Sequence, residues 1–159
     1  MGITMKISGM EELIAKMGNL PDKGKGIAAQ ALYEGAAVVA DSVSRAVQGI
    51  QTEEFRYTKF GTRLPSPEEK AILSSARKGV AKFRKKGNSI NTSVGMQNSG
   101  YGNLEGKTKP VPVIANAINS GTSFMKPQPF FRKAVETSQR TAGEVIEQGI
   151  ESRLDELDL

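Results

Sequence analysis

Six cations fall within ten positions, Arg77, Lys78, Lys82, Arg84, Lys85 and Lys86. With Lys70 they bring the stretch from Lys70 to Leu104 to +7, because no Asp or Glu lies inside it. Charge at that density attracts polyanions, whether nucleic-acid phosphates or an acidic protein surface. The same run also fits a solvated helix face whose cations sit at the favourable end of the dipole. Upstream, Phe55, Tyr57 and Phe60 are interleaved with Arg56, Lys59 and Arg63. Rings between cations can stack bases while the cations hold phosphate; a half-buried extended segment would show the same pattern. The opposite charge gathers at the far end. Glu144 to Leu159 holds six acids and Arg153, a net of −5. Glu147, Glu151, Asp155 and Glu156 are its candidate contact residues.

The missing residue types remove other chemistry. The chain has no His, Cys or Trp. Without Cys there is no thiolate nucleophile, disulfide or thiolate metal site. Without His there is no Ser-His-Asp triad and no imidazole acid–base pair. A carboxylate-only enzyme would need two acids held in a cleft, which spacing alone does not reveal. Gly100 and Gly102 lack the rest of a phosphate-binding fingerprint. No catalytic residue, metal ligand or cofactor site is therefore assigned, and no enzyme activity is expected. The overall +5 is what remains of a basic middle at +7, an acidic end at −5 and a remainder at +3.

These charges need elements to carry them. Of the 159 residues, 38% are hydrophobic, enough for one core. Ile3, Met5 and Ile7 alternate as in a strand. Ser8 and Glu11 have capping-box spacing before Met10, Leu13, Ile14 and Met17, so a short helix is expected there. A longer helix is expected over about Lys25 to Gln48. Its apolar face is Ala28, Leu32, Ala36, Val39, Val43 and Val47, and Asp41 and Arg45 have the spacing of an ion pair. Ser66-Pro67-Glu68-Glu69 reads as a capped helix start, and a helix continuing to Lys86 would end at Gly87. Ile90, Thr92, Val94 and Met96 alternate, as do Val111, Val113, Ala115 and Ala117, so two strands are expected, the second an edge strand because of Pro112. Pro129 is placed as the first residue of a final helix lined by Phe131, Ala134 or Val135, Ser138, Ala142, Val145, Ile146, Ile150, Leu154 and Leu157.

The expected fold class is α+β, with a small, mostly antiparallel sheet packed by two long helices and an extra basic helix inserted in the middle. Residues 1–159 are expected to form a single domain with an insertion at about 51–87. The longest apolar run, Gly35 to Ala40, is far short of the ~20 residues a membrane span needs. A soluble protein made in the cytoplasm, without a leader segment or a membrane partner, is expected.

Two stretches carry a family resemblance. Ile7-Ser8-Gly9-Met10-Glu11-Glu12-Leu13 is similar to the opening strand and helix of the HK97 gp10-like family of tailed-phage neck and tail-completion proteins. Ile118-Asn119-Ser120-Gly121-Thr122-Ser123 resembles its strand-ending Gly-Thr, and Gln128-Pro129-Phe130-Phe131-Arg132-Lys133-Ala134 resembles its Pro-Phe helix entry. Asn119 and Ser120 stand where the family commonly has an acid and an aromatic residue. The resemblance implies a structural protein that forms a ring around the DNA path between capsid and tail. It marks Gly121, Thr122, Pro129, Phe130 and Phe131 as candidate interface or structural residues.

The expected role is head–tail joining and tail completion in the neck of a bacteriophage or prophage. The expected partners are further copies of the chain, roughly six or twelve by analogy with such assemblies. Head-closure, tail-terminator or tail-tube proteins and the DNA in the channel complete the set. The expected location is the virion, with assembly in the host cytoplasm. A head-to-tail contact is heterologous, so the acidic end of one copy can meet the basic segment of the next. Two other readings stand beside this one. The first is a tail terminator capping the tail tube. The second is a small nucleic-acid-binding protein using Phe55, Tyr57, Lys82, Arg84, Lys85 and Lys86.

Overall fold

The computed structural model describes residues 2–7, 21–54, 63–76, 79–80, 84–86, 89–96 and 100–157. Its elements in chain order are β1 (Gly2–Ile7), α1 (Pro21–Gln48), α2 (Pro67–Ser75), β2 (Gly79–Val80), β3 (Arg84–Lys86), β4 (Ser89–Gly95), β5 (Tyr101–Leu104), β6 (Lys107–Pro110), α3 (Val111–Ser120) and α4 (Phe130–Asp155). The fold is α+β. One sheet runs in the order β1-β4-β2, with β3 also paired to β4, and β5 pairs with β6 in a second sheet. Both the β3–β4 and β5–β6 pairings are antiparallel. The helix expected over Met10 to Met17, and Phe55 to Phe60, lie outside the described residues. Among the described residues, no helix is long and apolar enough to cross a membrane.

The chain forms two compact units. One takes Met1–Gly2, Ala40–Gly79 and Gly95–Thr137; the other takes Ile3–Val39, Val80–Val94 and Ser138–Leu159. α1 and α4 each contribute to both.

α1 forms for the reason its spacing predicts. Ala28, Leu32, Ala36, Val39, Val43 and Val47 are all buried, and Ala31 and Ala40 widen the same stripe. Asp41 and Arg45 are both exposed, and among the described residues they form no ion pair. In the second unit, the small residues of α1 let α4 approach closely. A Cβ on Gly35 would stand 2.5 Å from Ile146 Cγ1 and 3.0 Å from the Ala142 carbonyl oxygen.

In the first unit, α2 starts as its sequence dictates. The Ser66 hydroxyl accepts from the Glu69 N–H at 3.2 Å, and the Glu69 carboxylate accepts from the Ser66 N–H at 3.2 Å. Glu69 also accepts from Arg63 Nη2 at 2.8 Å, which ties the incoming chain to the cap. Ser66→Ala removes one side of this box and is expected to cost about 1 kcal/mol. Urea unfolding would show this as a lower midpoint at unchanged slope.

The expected extent of this helix is corrected. α2 ends at Ser75, and Ala76 is already extended, with ψ 144°. The Ser75 hydroxyl bonds back to the Ala71 and Ile72 carbonyls, an arrangement that weakens a helix end. Gly79 follows, a poor helix former. Only Leu73 is buried along α2, so tertiary packing does not extend it. α2 is also not basic, since its charged residues are Glu68, Glu69 and Lys70. Of the cations beyond it, Arg84, Lys85 and Lys86 lie in a strand.

The strand expected over Val111 to Ala117 is likewise corrected to a helix, α3. Val111, Ile114, Ala115 and Ile118 are buried, the i, i+3, i+4, i+7 series of a helix face. Pro110 and Pro112 fall at the cap and in the first turn, where a missing N–H is tolerated. The free Val111 N–H donates to the Gly100 carbonyl at 3.0 Å.

Candidate functional site

The Gly-Thr and Pro-Phe motifs come together in the first unit as a lock between α3 and α4. Gly121 ends α3 at φ 76° and ψ 171°, and its N–H donates to the Ala117 carbonyl at 2.9 Å. The Thr122 and Met125 backbones exchange hydrogen bonds at 3.0 and 3.3 Å, closing a tight turn. Lys126 N–H then donates to the Arg63 carbonyl at 2.9 Å. Pro129 lies just before α4, one position earlier than expected, and its carbonyl accepts from Lys133 N–H at 3.0 Å. Phe130 and Phe131 are buried and meet edge to face at 6.5 Å between centroids. The two motifs are joined within one chain through their neighbours, Gln128 N–H donating to the Ile118 carbonyl at 2.7 Å.

Two further residues hold the lock. Asn119 Oδ1 accepts from the Phe131 N–H at 3.1 Å, satisfying an orphan donor at the start of α4 from twelve residues away. The Gln128 amide accepts from the Gln51 N–H and donates to the Gln51 carbonyl, both at 2.9 Å. Neither partner is near in sequence, so local spacing could not reveal these roles.

The basic candidates fall differently. Arg77, Lys78 and Lys82 lie outside the described residues. Arg84, Lys85 and Lys86 form β3, opposite Asn91, Ile90 and Ser89 of β4. Their expected place on a helix is corrected: they belong to a strand pair in which two residues separate Lys86 from Ser89. Pairing with β4 supplies the backbone partners that a helix interrupted at Ser75 does not.

The acidic candidates divide between two faces of α4, in the second unit. Arg153, the cation of this stretch, turns to α1 and donates to both Glu34 carboxylate oxygens, at 2.5 and 3.3 Å. Its Nη1 also donates to the Gly149 carbonyl at 2.9 Å. The Glu34 hydrogen bond, with the nearby Glu156 charge adding to it, raises the Arg153 pKa above its ordinary value against an opposing desolvation. Arg153, Glu34 and Glu156 line an open cleft of about 920 Å³ floored by Ile27, Val145 and Leu157. Glu147, Glu151 and Asp155 are exposed, and among the described residues they form no ion pair. Glu144 is paired with Arg140 at 3.0 Å. Arg153 thus pairs with Glu34 of α1, and among the described residues the exposed acidic arc on α4 is left without a cation.

Among the described residues, no group of three or more His, Asp or Glu side chains is placed to hold a metal ion. A scan of protein-family models finds no match to this chain, and neither the curated proteins nor the solved structures yield one.

Proposed function

We propose that the chain is a non-enzymatic structural subunit of a tailed-phage neck, assembling as a ring at the head–tail interface for tail completion and head–tail joining. The observation that carries this reading is the separation of charge. One end of the chain displays Glu147, Glu151 and Asp155 exposed and, among the described residues, without an ion pair, while Lys70 to Leu104 carries +7. A heterologous contact that repeats around a ring uses two different surfaces of each copy, and opposite charges on those surfaces set its polarity. The absence of His and Cys suits a product that is an assembly. Its partners are further copies and the neighbouring head-closure, tail-terminator or tail-tube proteins around the DNA, in the virion.

Native mass measurement of the purified protein tests this reading. Closed oligomers are expected, roughly six or twelve copies by analogy with such assemblies, dispersing as salt is raised because exposed charge pairs are screened. Negative-stain imaging of particles should place the protein at the neck. A tight monomer that never enters a particle would end the proposal. Salt-dependent binding to free duplex DNA by that monomer would instead favour a nucleic-acid-binding protein.

A further inference from the structure

The turn that follows Gly121 carries an aromatic side chain outward. The Thr122 and Met125 backbones close it, and the Phe124 N–H donates to Thr122 Oγ1 at 3.2 Å. Met125 lies beside Arg63 in a parallel bridge, and Glu69 of the α2 cap holds the Arg63 guanidinium. The turn is thus tied to both α3 and the start of α2. Met125 is buried, at 4% exposure. Side chains alternate along extended backbone, so Phe124 before it and Lys126 after it share the outward face. Phe124 is 61% exposed. Lys126 is also exposed, and among the described residues it forms no ion pair. From Gly106 to Val135 the chain has five cations and no acid, so the turn belongs to a positive stretch.

The cleft between α1 and α4 has the complementary make-up. All of its lining residues belong to the second unit. Ile27, Val145 and Leu157 on its floor are half-buried. Its volume of about 920 Å³ falls within the ~300–1,000 Å³ typical of binding pockets. Arg153 and Glu34 satisfy one another at its wall. Glu156, on the α4 wall, is exposed, and among the described residues it forms no ion pair. Asp155 lies two helical turns from Gln148, a lining residue, which brings the acidic arc to the edge of the cleft. Lys23 stands on the facing α1 wall, so an incoming cation is drawn to the α4 side.

We propose that the Phe124 turn of one copy inserts into the α1–α4 cleft of a second copy. Phe124 rests on Ile27, Val145 and Leu157, and Lys126 meets Glu156. An exposed apolar group and a pocket for it elsewhere on the same chain make a heterologous contact, which repeats from copy to copy. A side chain presented on a fixed turn loses little freedom on docking, and a buried aromatic anchor concentrates binding energy. This inference rests on the ring reading and names its subunit contact. It places the anchor of that contact in the turn after Gly121 rather than in the 77–86 segment.

Assembly and cross-linking test it together. Phe124→Ser is expected to raise the protein concentration needed for assembly on the order of 100-fold. Lys126→Glu should raise it about tenfold, and adding Glu156→Lys should restore most of that loss. The chain has no Cys, so introduced thiols report proximity without background. A Ser123→Cys chain mixed with Ser152→Cys or Gln30→Cys chains, one for each wall of the cleft, should form a disulfide joining the two kinds of chain under mild oxidation, since a disulfide needs Cα atoms within ~7 Å. All six positions are exposed, and circular dichroism confirms that each variant is folded. If the original chain assembles but Phe124→Ser assembles equally well, the anchor is wrong while the ring reading stands. Loss of assembly in Phe124→Ser with no mixed disulfide at either wall would overturn the cleft as its receptor. A Lys126→Glu loss that Glu156→Lys does not relieve would overturn the pairing of these two residues. If the original chain stays monomeric at every concentration, both proposals fall.

Discussion

Replacing Gly121 with Ala is expected to cost about 2–4 kcal/mol, among the largest single-site effects in the first unit. Gly121 has φ 76° and ψ 171°, a backbone region essentially closed to residues with a Cβ. Space is also lacking. A Cβ there would stand 3.0 Å from the Met125 carbonyl oxygen and 3.0 Å from both the nitrogen and Cδ of Pro127. Two of those atoms are backbone and the third is part of a ring, so no rotamer change relieves the contact. The turn cannot open locally either. Gln128 N–H reaches back to the Ile118 carbonyl at 2.7 Å, and Asn119 caps α4 through Phe131. Loosening Gly121 loosens both. For a chain of this length the cost corresponds to a fall in Tm of roughly 6–12 °C. Asn119→Ala, which keeps the turn and removes one capping oxygen, should cost only about 1 kcal/mol. Equal losses for the two variants in urea unfolding would show that the backbone angle is not the source of the effect.

The elements that were legible in the sequence are those whose signals are local. α1 follows from a three-and-four spacing, and the start of α2 from Ser66, Pro67 and Glu69. At Gly121, glycine is the residue that a positive φ requires. Local patterns mislead where two of them compete. Val111 to Ile118 contains both an alternating series and a helical one. Pro112 favoured the edge-strand interpretation although it equally suits a helix's first turn. The cations through Lys86 read as a helix end, but Ser75 and Gly79 weaken that helix, and pairing with Asn91, Ile90 and Ser89 is a nonlocal fact. The contacts that shape the candidate site are longer still. Arg153 and Glu34 are 119 positions apart, so nothing in the local charge count shows that Arg153 leaves the acids of its own helix unneutralised. The charge separation could be counted in advance, but the set of acids left exposed could not.

The α1–α4 contact in the second unit gives the other large expectation. Gly35→Val should destabilise by about 3 kcal/mol. Even the Cβ alone would fall 2.5 and 2.7 Å from Ile146 Cγ1 and Cδ1 and 3.0 Å from the Ala142 carbonyl oxygen. The isoleucine tip can rotate away; the carbonyl belongs to the α4 backbone and moves only with the helix. Gly35→Ala separates these two resistances. Alanine gains about 1 kcal/mol of helix propensity over glycine, and overpacking opposes it by about 1–3 kcal/mol, so a net loss of about 1 kcal/mol is expected. Shortening the neighbour should recover part of it. Gly35→Ala with Ile146→Ala is expected to cost about 1 kcal/mol less than the sum of the single changes, the signature of side chains in contact. Strict additivity would mean that Ile146 does not resist the added methyl. The same series separates position from charge in assembly. Gly35→Val leaves Glu147, Glu151 and Asp155 in place but disturbs the seating of the helix that presents them. Where the variant remains folded, it should need a higher protein concentration to assemble while retaining the original salt dependence. Charge reversal on the arc should change both. A Gly35→Val chain that assembles at the original concentration would show that the close approach of α1 and α4 serves stability alone.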